Sequence, residues 1–272
     1  MSTLTDLRTQ IDALDADLLR LVDARAALGK AIGEAKAQDE AKHEAGAAPA
    51  SLLRPDREAI LIRKLLAMPR QAASDQVVVR IWRELISENL RIQGQSRLNE
   101  GTGGGLHLNL VTREHSQEIL VWARERFGFA PSFGYVEDAA TAVAAARDLC
   151  HISILGLDPR GGAWWARLLA EKSVRIIAAL PEMSQARPHA VAVASIAPEP
   201  TGDDLTFWVS DSTEREGRII DDLGSRGFAA EWLCSAQGLK LFSIAGFVQE
   251  TDPRLVGALG SLSGVIGSAP RI

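Results

Sequence analysis

The amino-acid sequence predicts a multidomain fold: an all-α domain of three helices, then an α/β region, then a βαββαβ ferredoxin-like domain. Up to about residue 95, apolar residues recur every three or four positions, whereas later apolar runs are short and alternate with amphipathic segments. Glycine is also unevenly spread, since only four of the 23 glycines precede Asn99. The run GTGGG at 101–105 therefore predicts a flexible linker after a helical domain at 1–100.

The helical domain is expected to begin with one long helix. Its apolar residues from Leu4 to Ile32 keep the three-and-four spacing, and no proline interrupts residues 1–48. Pro55 suits the first turn of a second helix, and Pro69 ends it. The predicted helices span 5–36, 55–68 and 74–95, and the segment 38–51 is expected to be a loop whose first half is able to extend the first helix.

The rest of the chain divides at about residue 200. Residues 106–200 predict an α/β lobe, and residues 201–272 follow the order βαββαβ, with SAQG at 235–238 as a hairpin link. The expected strands are 106–111, 151–157, 174–180, 189–196, 205–210, 228–235, 239–246 and 264–269. The expected helices are 114–127, 161–170, 213–225 and 252–261.

Composition narrows the class of function. The formal net charge is −5, which disfavours nucleic acid as a partner because no overall basic field exists to attract phosphates. Cys150 and Cys234 give neither a disulfide framework nor metal-ligand spacing. No signal-type segment or membrane-length apolar run is found, so we expect a cytoplasmic protein without a membrane partner.

Candidate site residues are concentrated on the predicted helices. Arg25 and Lys36 are 11 residues apart, close to three helical turns, and therefore share a face. Asn89 and Gln93 share a face of the third helix. Such a cationic set suits a small dicarboxylate, although each charge taken alone is more typical of a solvated surface. The candidates are Arg8, Arg25, Lys36, Arg57, Glu58, Asn89 and Gln93.

The position of Arg8 extends the prediction of a site to a prediction about oligomeric assembly. It precedes Arg25 by 17 residues, so on one helix the two lie about 25 Å apart and cannot hold one small molecule. Arg8 joins the site only if a second copy of the long helix runs antiparallel beside the first. The spacing therefore predicts a homodimer with a shared site.

The segments 7–36, 54–66 and 81–93 resemble the all-helical chorismate mutase family. The resemblance implies three helices that dimerise by intertwining their long first helices, with chorismate as substrate. The resemblance further implies a role for each candidate. Arg8 crosses to the partner's site, and Arg25 binds a carboxylate in its own chain. Lys36 and Gln93 contact the ether oxygen of the breaking bond, Arg57 and Glu58 hold the ring-hydroxyl side, and Asn89 replaces a frequent serine.

The family's reaction converts chorismate to prephenate, on the way to phenylalanine and tyrosine. This rearrangement is pericyclic, so no nucleophile, metal or cofactor is expected. A related isochorismate pyruvate-lyase activity occurs on the same scaffold. Two further alternatives are a non-catalytic, metabolite-sensing dimer and a bifunctional chorismate mutase/prephenate dehydratase.

The end of the chain, 242–272, resembles the regulatory ACT domain of prephenate dehydratases. That resemblance implies an aromatic amino acid as a possible effector. WLCSAQG at 232–238 replaces the family's usual ligand-loop motif, which favours a structural dimer element over effector binding. Residues 106–200 stand where a dehydratase domain would be, without its catalytic motif, and are expected to form an inactive dehydratase-like lobe.

Overall fold

The computed structural model describes residues 3–42, 51–99, 105–111, 116–184 and 187–272. The first region has three helices, α1 (Leu4–Lys42), α2 (Pro55–Leu66) and α3 (Asp75–Asn99). All three were predicted, and α1 continues six residues beyond the expected end at residue 36. The predicted linker lies outside the described residues except for Gly105.

The first half of α1 contributes no residue to the hydrophobic core of the chain. Every residue from 3 to 24 is exposed, whereas Gly29 and Gly33 are buried where α1 packs on α3. The apolar stripe that predicted the helix is thus open to solvent in a single chain. Its exposed members are Leu4, Leu7, Ile11, Leu14, Leu18, Leu21 and Val22. In contrast, α2 buries Ala59 and Ile62, because it lies against the rest of the chain.

The remaining strands form one mixed sheet of nine. The strands are β1 (His107–Val111), β2 (Ser132–Val136), β3 (His151–Gly156), β4 (Arg175–Leu180), β5 (Ala190–Ala194), β6 (Asp204–Ser210), β7 (Ala230–Ala236), β8 (Leu239–Ala245) and β9 (Ser263–Pro270). The order across the sheet is β2-β1-β3-β5-β4-β9-β6-β8-β7. The helices of this region are α4 (Ser116–Phe127), α5 (Ala139–Ala145), α6 (Arg167–Ala170) and α7 (Glu216–Ser225). Strands from both sides of the predicted boundary at residue 200 therefore share one sheet.

The two halves of the sheet join where β9 lies parallel to β4. Gly267 pairs with Ile176 there and has a φ of 148°. A Cβ at Gly267 would overlap the backbone of Ile176. Glycine is required at this position by both the backbone conformation and the close approach.

Two predicted helices are wrong. Residues 252–261 contain only a short 3-10 turn, Pro253–Leu255, because Gly257 and Gly260 take positive φ values of 72° and 121° that a helix excludes. The last region therefore has the order βαβββ, with its second helix replaced by this turn. In residues 161–170 only α6 is α-helical, after two 3-10 turns. Gly162, at a φ of 79°, interrupts that segment.

Candidate active site

Arg25 joins α1 to α3. Its side chain is half-buried, and Nη1 donates to the backbone oxygen of Leu85 at 2.7 Å. Partial burial lowers the pKa of the Arg25 guanidinium, because a charge removed from water is less well solvated. The remaining guanidinium donors allow Arg25 to bind a carboxylate while this contact fixes its direction.

Two glycines let α1 approach α3 at the level of the predicted amides. A Cβ at Gly29 would lie 2.7 Å from Oδ1 of Asn89. A Cβ at Gly33, one turn later, would lie 3.1 Å from Cγ of Gln93. The structure therefore brings Asn89 and Gln93 against α1, one turn and two turns after Arg25.

Gln93 is 8% exposed, and its Oε1 is one of the buried side-chain oxygens that have no hydrogen-bond partner among the described residues. A buried amide oxygen without a partner is costly unless something fills the need, so this atom marks a place for a ligand or water. Lys36 follows Gly33 on α1 and is half-buried.

Arg57 and Glu58 are adjacent on α2 but lie in different environments. Arg57 is exposed, whereas Glu58 is 7% exposed. The Oε2 of Glu58 accepts from Nη1 of Arg83 and from Nη1 of Arg126, both at 2.8 Å. The other oxygen of Glu58, Oε1, is buried without a hydrogen-bond partner among the described residues. One oxygen of this carboxylate is thus held by two arginines, and the other is buried without a partner.

Four buried side chains make the ion-pair cluster around Glu58. Arg83 also pairs with Glu182, with Nε 2.8 Å from Oε2, and Arg126 Nε lies 3.0 Å from Glu182 Oε1. These side chains are between 2% and 8% exposed. We name Glu58, Arg83, Arg126 and Glu182 the buried quartet.

Sequence reasoning missed three members of the buried quartet. A usable signal was present: Arg83 lies one turn after the buried Val79 on α3, and Arg126 lies between the buried Ala123 and Phe127 on α4. A charge within an apolar helical stripe predicts a buried partner. The partner Glu182 lies in the loop after β4, where no periodic pattern marks it.

Arg8 stands apart from the other candidates. It is exposed on α1, and because that helix is continuous, Arg8 lies about 25 Å from Arg25. Arg54, the residue before α2, forms a two-point ion pair with Asp56 at 3.1 and 2.8 Å. Hydrogen bonding to that carboxylate raises the pKa of Arg54.

A cavity of about 650 Å³ lies elsewhere, at the carboxyl ends of β1 and β3. Trp164 and Arg167 line it, and none of the seven candidate residues does. Within the described ranges, no group of three or more His, Cys, Asp or Glu side chains could hold a metal ion. No helix in the described part of the chain is long and apolar enough to cross a membrane.

The sequence of the helical region matches the model of a known family. Residues 7–94 match the family model described as Chorismate mutase type II, a span that covers α1, α2 and most of α3. The N-terminal region is therefore a chorismate mutase type II domain, which confirms the resemblance seen in its sequence.

Two curated relatives each match about a third of the chain. A bifunctional chorismate mutase/prephenate dehydratase of Neisseria gonorrhoeae is 33% identical over 86 residues, which are 32% of this chain and 21% of the relative. The protein of the same name from Aquifex aeolicus is 32% identical over 97 residues, 34% of this chain and 24% of the relative. The matches thus span about a quarter or less of these relatives.

One solved structure is also similar. It is described as GqqA, a novel type of quorum quenching acylase, with a TM-score of 0.40 and 15% sequence identity over 61% of this chain and 95% of that chain. A likeness at this level carries no conclusion about function.

Proposed function

We propose that this protein is a chorismate mutase that rearranges chorismate to prephenate. One observation carries the proposal: the chorismate mutase type II match at 7–94 coincides with α1, α2 and α3, and along the α1–α3 contact Arg25 donates to Leu85 while Asn89 and Gln93 lie against α1. Chorismate has two carboxylates and an ether oxygen, which suits guanidinium and amide donors.

To catalyse this reaction, the protein must hold the substrate in its reactive conformation and provide hydrogen-bond donors. Arg25 would bind one carboxylate and hold the substrate in the folded form in which the new bond is made. As the ether bond breaks, negative charge grows on its oxygen, where the amide of Gln93 and the ammonium of Lys36 would donate. These donors accelerate the step because they are already oriented when the charge develops.

The ring-hydroxyl side is assigned to α2. Glu58, whose Oε1 is buried and unpaired in the single chain, would accept from the substrate hydroxyl, and Arg57 would contact the same side of the substrate. Asn89 would line the pocket near Gln93, since both amides are on one face of α3. The roles of the seven candidate residues remain predictions.

The complete site would need a homodimer. The exposed apolar stripe of α1 suits the same stripe of a second copy, since isologous contact buries both at once. In an antiparallel arrangement Arg8 would reach the partner's pocket and supply a second guanidinium for the second carboxylate. This accounts for an Arg8 that one chain leaves far from Arg25.

The C-terminal regions are proposed to support or regulate the mutase. We retain 106–200 as an inactive dehydratase-like lobe and 201–272 as an ACT-like domain. The βα and hairpin part of the latter, β6 to β8, supports the ACT-like proposal, whereas its missing second helix does not. An aromatic amino acid effector and a cytoplasmic location stay predictions.

A direct assay tests the proposal. The purified full-length chain, incubated with chorismate at micromolar enzyme, is expected to consume it and form prephenate well above the uncatalysed rate. An unchanged rate would refute the mutase function and favour a non-catalytic, metabolite-sensing dimer. Pyruvate release from isochorismate in the same assay would instead indicate lyase activity.

A second candidate function follows from the relatives' names. Both are described as bifunctional chorismate mutase/prephenate dehydratases, but their aligned segments cover only about a third of this chain. Phenylpyruvate formed from prephenate by the full chain would establish this alternative, and its absence would exclude it.

A further inference from the structure

The buried quartet connects the helical region with the α/β lobe. Glu58 comes from α2 and Arg83 from α3, whereas Arg126 comes from α4 and Glu182 from the loop after β4. The two halves of the chain that composition separates are therefore joined by charges that both sides contribute.

Each arginine of the buried quartet touches both carboxylates. Arg83 contacts Glu58 and Glu182, and so does Arg126. The set holds two positive and two negative groups in a region from which water is nearly excluded. Such charges are tolerated only when they are paired, and removing one leaves an uncompensated charge in the interior.

We propose that Arg126 and Glu182 are positioning residues for the mutase pocket, which they shape through Glu58 and Arg83. This inference rests on the proposed function of the helical region. The two arginines engage only Oε2 of Glu58, and this fixes the carboxylate, whose other oxygen, Oε1, is buried without a hydrogen-bond partner among the described residues. The lobe beyond residue 105 thereby sets the direction of the group that meets the substrate hydroxyl.

Arg83 connects the buried quartet to the part of α3 that contacts α1. It lies two residues before Leu85, whose backbone oxygen accepts from Arg25, and its helix also carries Gln93. Glu182 therefore holds α3 at the turn where α1 contacts it. A shift of this turn would move the Arg25 guanidinium relative to the amides, and displacements near 1 Å are enough to reduce catalysis.

The test compares four variants of the full chain. Arg126→Met and Glu182→Gln each leave the buried quartet with one unbalanced charge, whereas the double variant restores balance. Arg126→Lys keeps the charge but cannot reproduce the two-point contact. Each single variant is expected to raise KM for chorismate about tenfold with a smaller change in kcat, because a contact to the hydroxyl acts in the ground state as well. The double variant should recover part of the loss.

An exposed ion pair provides the matched control. Arg80 and Glu125 also join α3 to α4, at 2.8 Å, but their side chains are 57% and 39% exposed. Glu125→Gln removes a charge from the same interface without leaving a buried one, so KM should stay within about twofold of the parent value.

Kinetics and hydrogen exchange together decide the outcome. If the single variants show the KM of Glu125→Gln, the positioning role is refuted. Absence of turnover in the parent chain would instead refute the mutase function, and amide exchange over 55–66 would then decide. Faster exchange in Arg126→Met and Arg126→Lys, reversed in the double variant, would show that Arg126 and Glu182 still position Glu58 and α2 although the pocket has another function, and unchanged exchange would overturn that as well.

Discussion

At the scale of single residues, two of the four buried side-chain atoms without a hydrogen-bond partner in the described chain belong to the predicted set. They are Oε1 of Glu58 and Oε1 of Gln93. Interiors seldom leave such atoms unpaired. These two acceptors, one on α2 and one on α3, would each need a donor that the described residues do not supply.

Arg25 gives the sharpest single substitution. Arg25→Ala should lower kcat/KM for chorismate by about a hundredfold or more, because it leaves a substrate carboxylate unpaired in a partly desolvated site. Arg218, exposed on α7, is the matched control, and Arg218→Ala should leave turnover unchanged. Steady-state kinetics check both, and equal effects would remove Arg25 from the site.

The two cysteines should differ in reactivity. Burial raises the pKa of the Cys234 thiol to about 12, so at pH 8 only about one molecule in ten thousand carries the thiolate. Cys150 is half-buried in the α/β lobe. Iodoacetamide followed by intact mass measurement should therefore add one group to the native protein and two after denaturation. Two rapid additions to the native chain would contradict this burial.

At the scale of elements, contact between α1 and α3 depends on small residues. Gly29 and Gly33 are one turn apart, and their missing side chains make the space that Asn89 and Gln93 occupy. The usual cost of glycine in a helix is accepted here because the close approach needs it. The same packing brings Arg25 within reach of the Leu85 backbone.

Gly29→Ala should destabilise the protein. The added methyl would lie 2.7 Å from Asn89 Oδ1, so we expect a loss of about 1–3 kcal/mol in the free energy of unfolding. Gly224 on α7 has no atom within 4 Å of its missing Cβ, and Gly224→Ala should be neutral or stabilise by up to about 1 kcal/mol. Chemical denaturation of both variants tests the contrast, which vanishes if α1 and α3 do not pack here.

Sequence predicts elements well where one local pattern decides them. The three helices of the first region and the strands on both sides of residue 200 follow from periodicity and proline placement. It fails at 252–261, where Gly257 and Gly260 override an apparently helical segment. It also omits β2 and α5, for which no element was predicted.

The candidate site is predicted less completely, for a physical reason. Helical spacing predicts that Asn89 and Gln93 share a face of α3, and the structure brings that face against α1 at Gly29 and Gly33. The pairing of Glu58 with Arg126 and Glu182 joins residues far apart in sequence. Single-sequence patterns do not carry such distant pairings, which depend on how the α/β lobe packs.

At the scale of the whole molecule, one chain leaves a long apolar surface uncovered. Leu14 and Leu18 are 62% and 58% exposed on a helix that has no partner along its first half within the described chain. Exposed stripes of this extent are typical of interfaces. We propose a second copy of α1 as the partner, because its stripe has the same length and spacing.

Substitutions on this stripe should change the assembly. Leu14→Asp combined with Leu18→Asp should convert a dimer into a monomer, because two desolvated carboxylates cannot be placed in an apolar interface. Val256, which is 78% exposed outside α1, is the control, and Val256→Asp should remain dimeric. Sedimentation equilibrium distinguishes them. A double variant that stays dimeric would place the interface elsewhere.

The shared site itself is tested most directly by mixing two inactive variants. Arg8→Ala and Arg25→Ala homodimers should each be nearly inactive, since every pocket lacks one guanidinium. Subunit exchange would form heterodimers in which one pocket has both lesions and the other has none. With random exchange the mixture should regain about a quarter of the parent chorismate mutase activity, as expected for a two-fold symmetric dimer. Native mass spectrometry would confirm that heterodimers are present, and their formation without any recovered activity would contradict a pocket built from two chains.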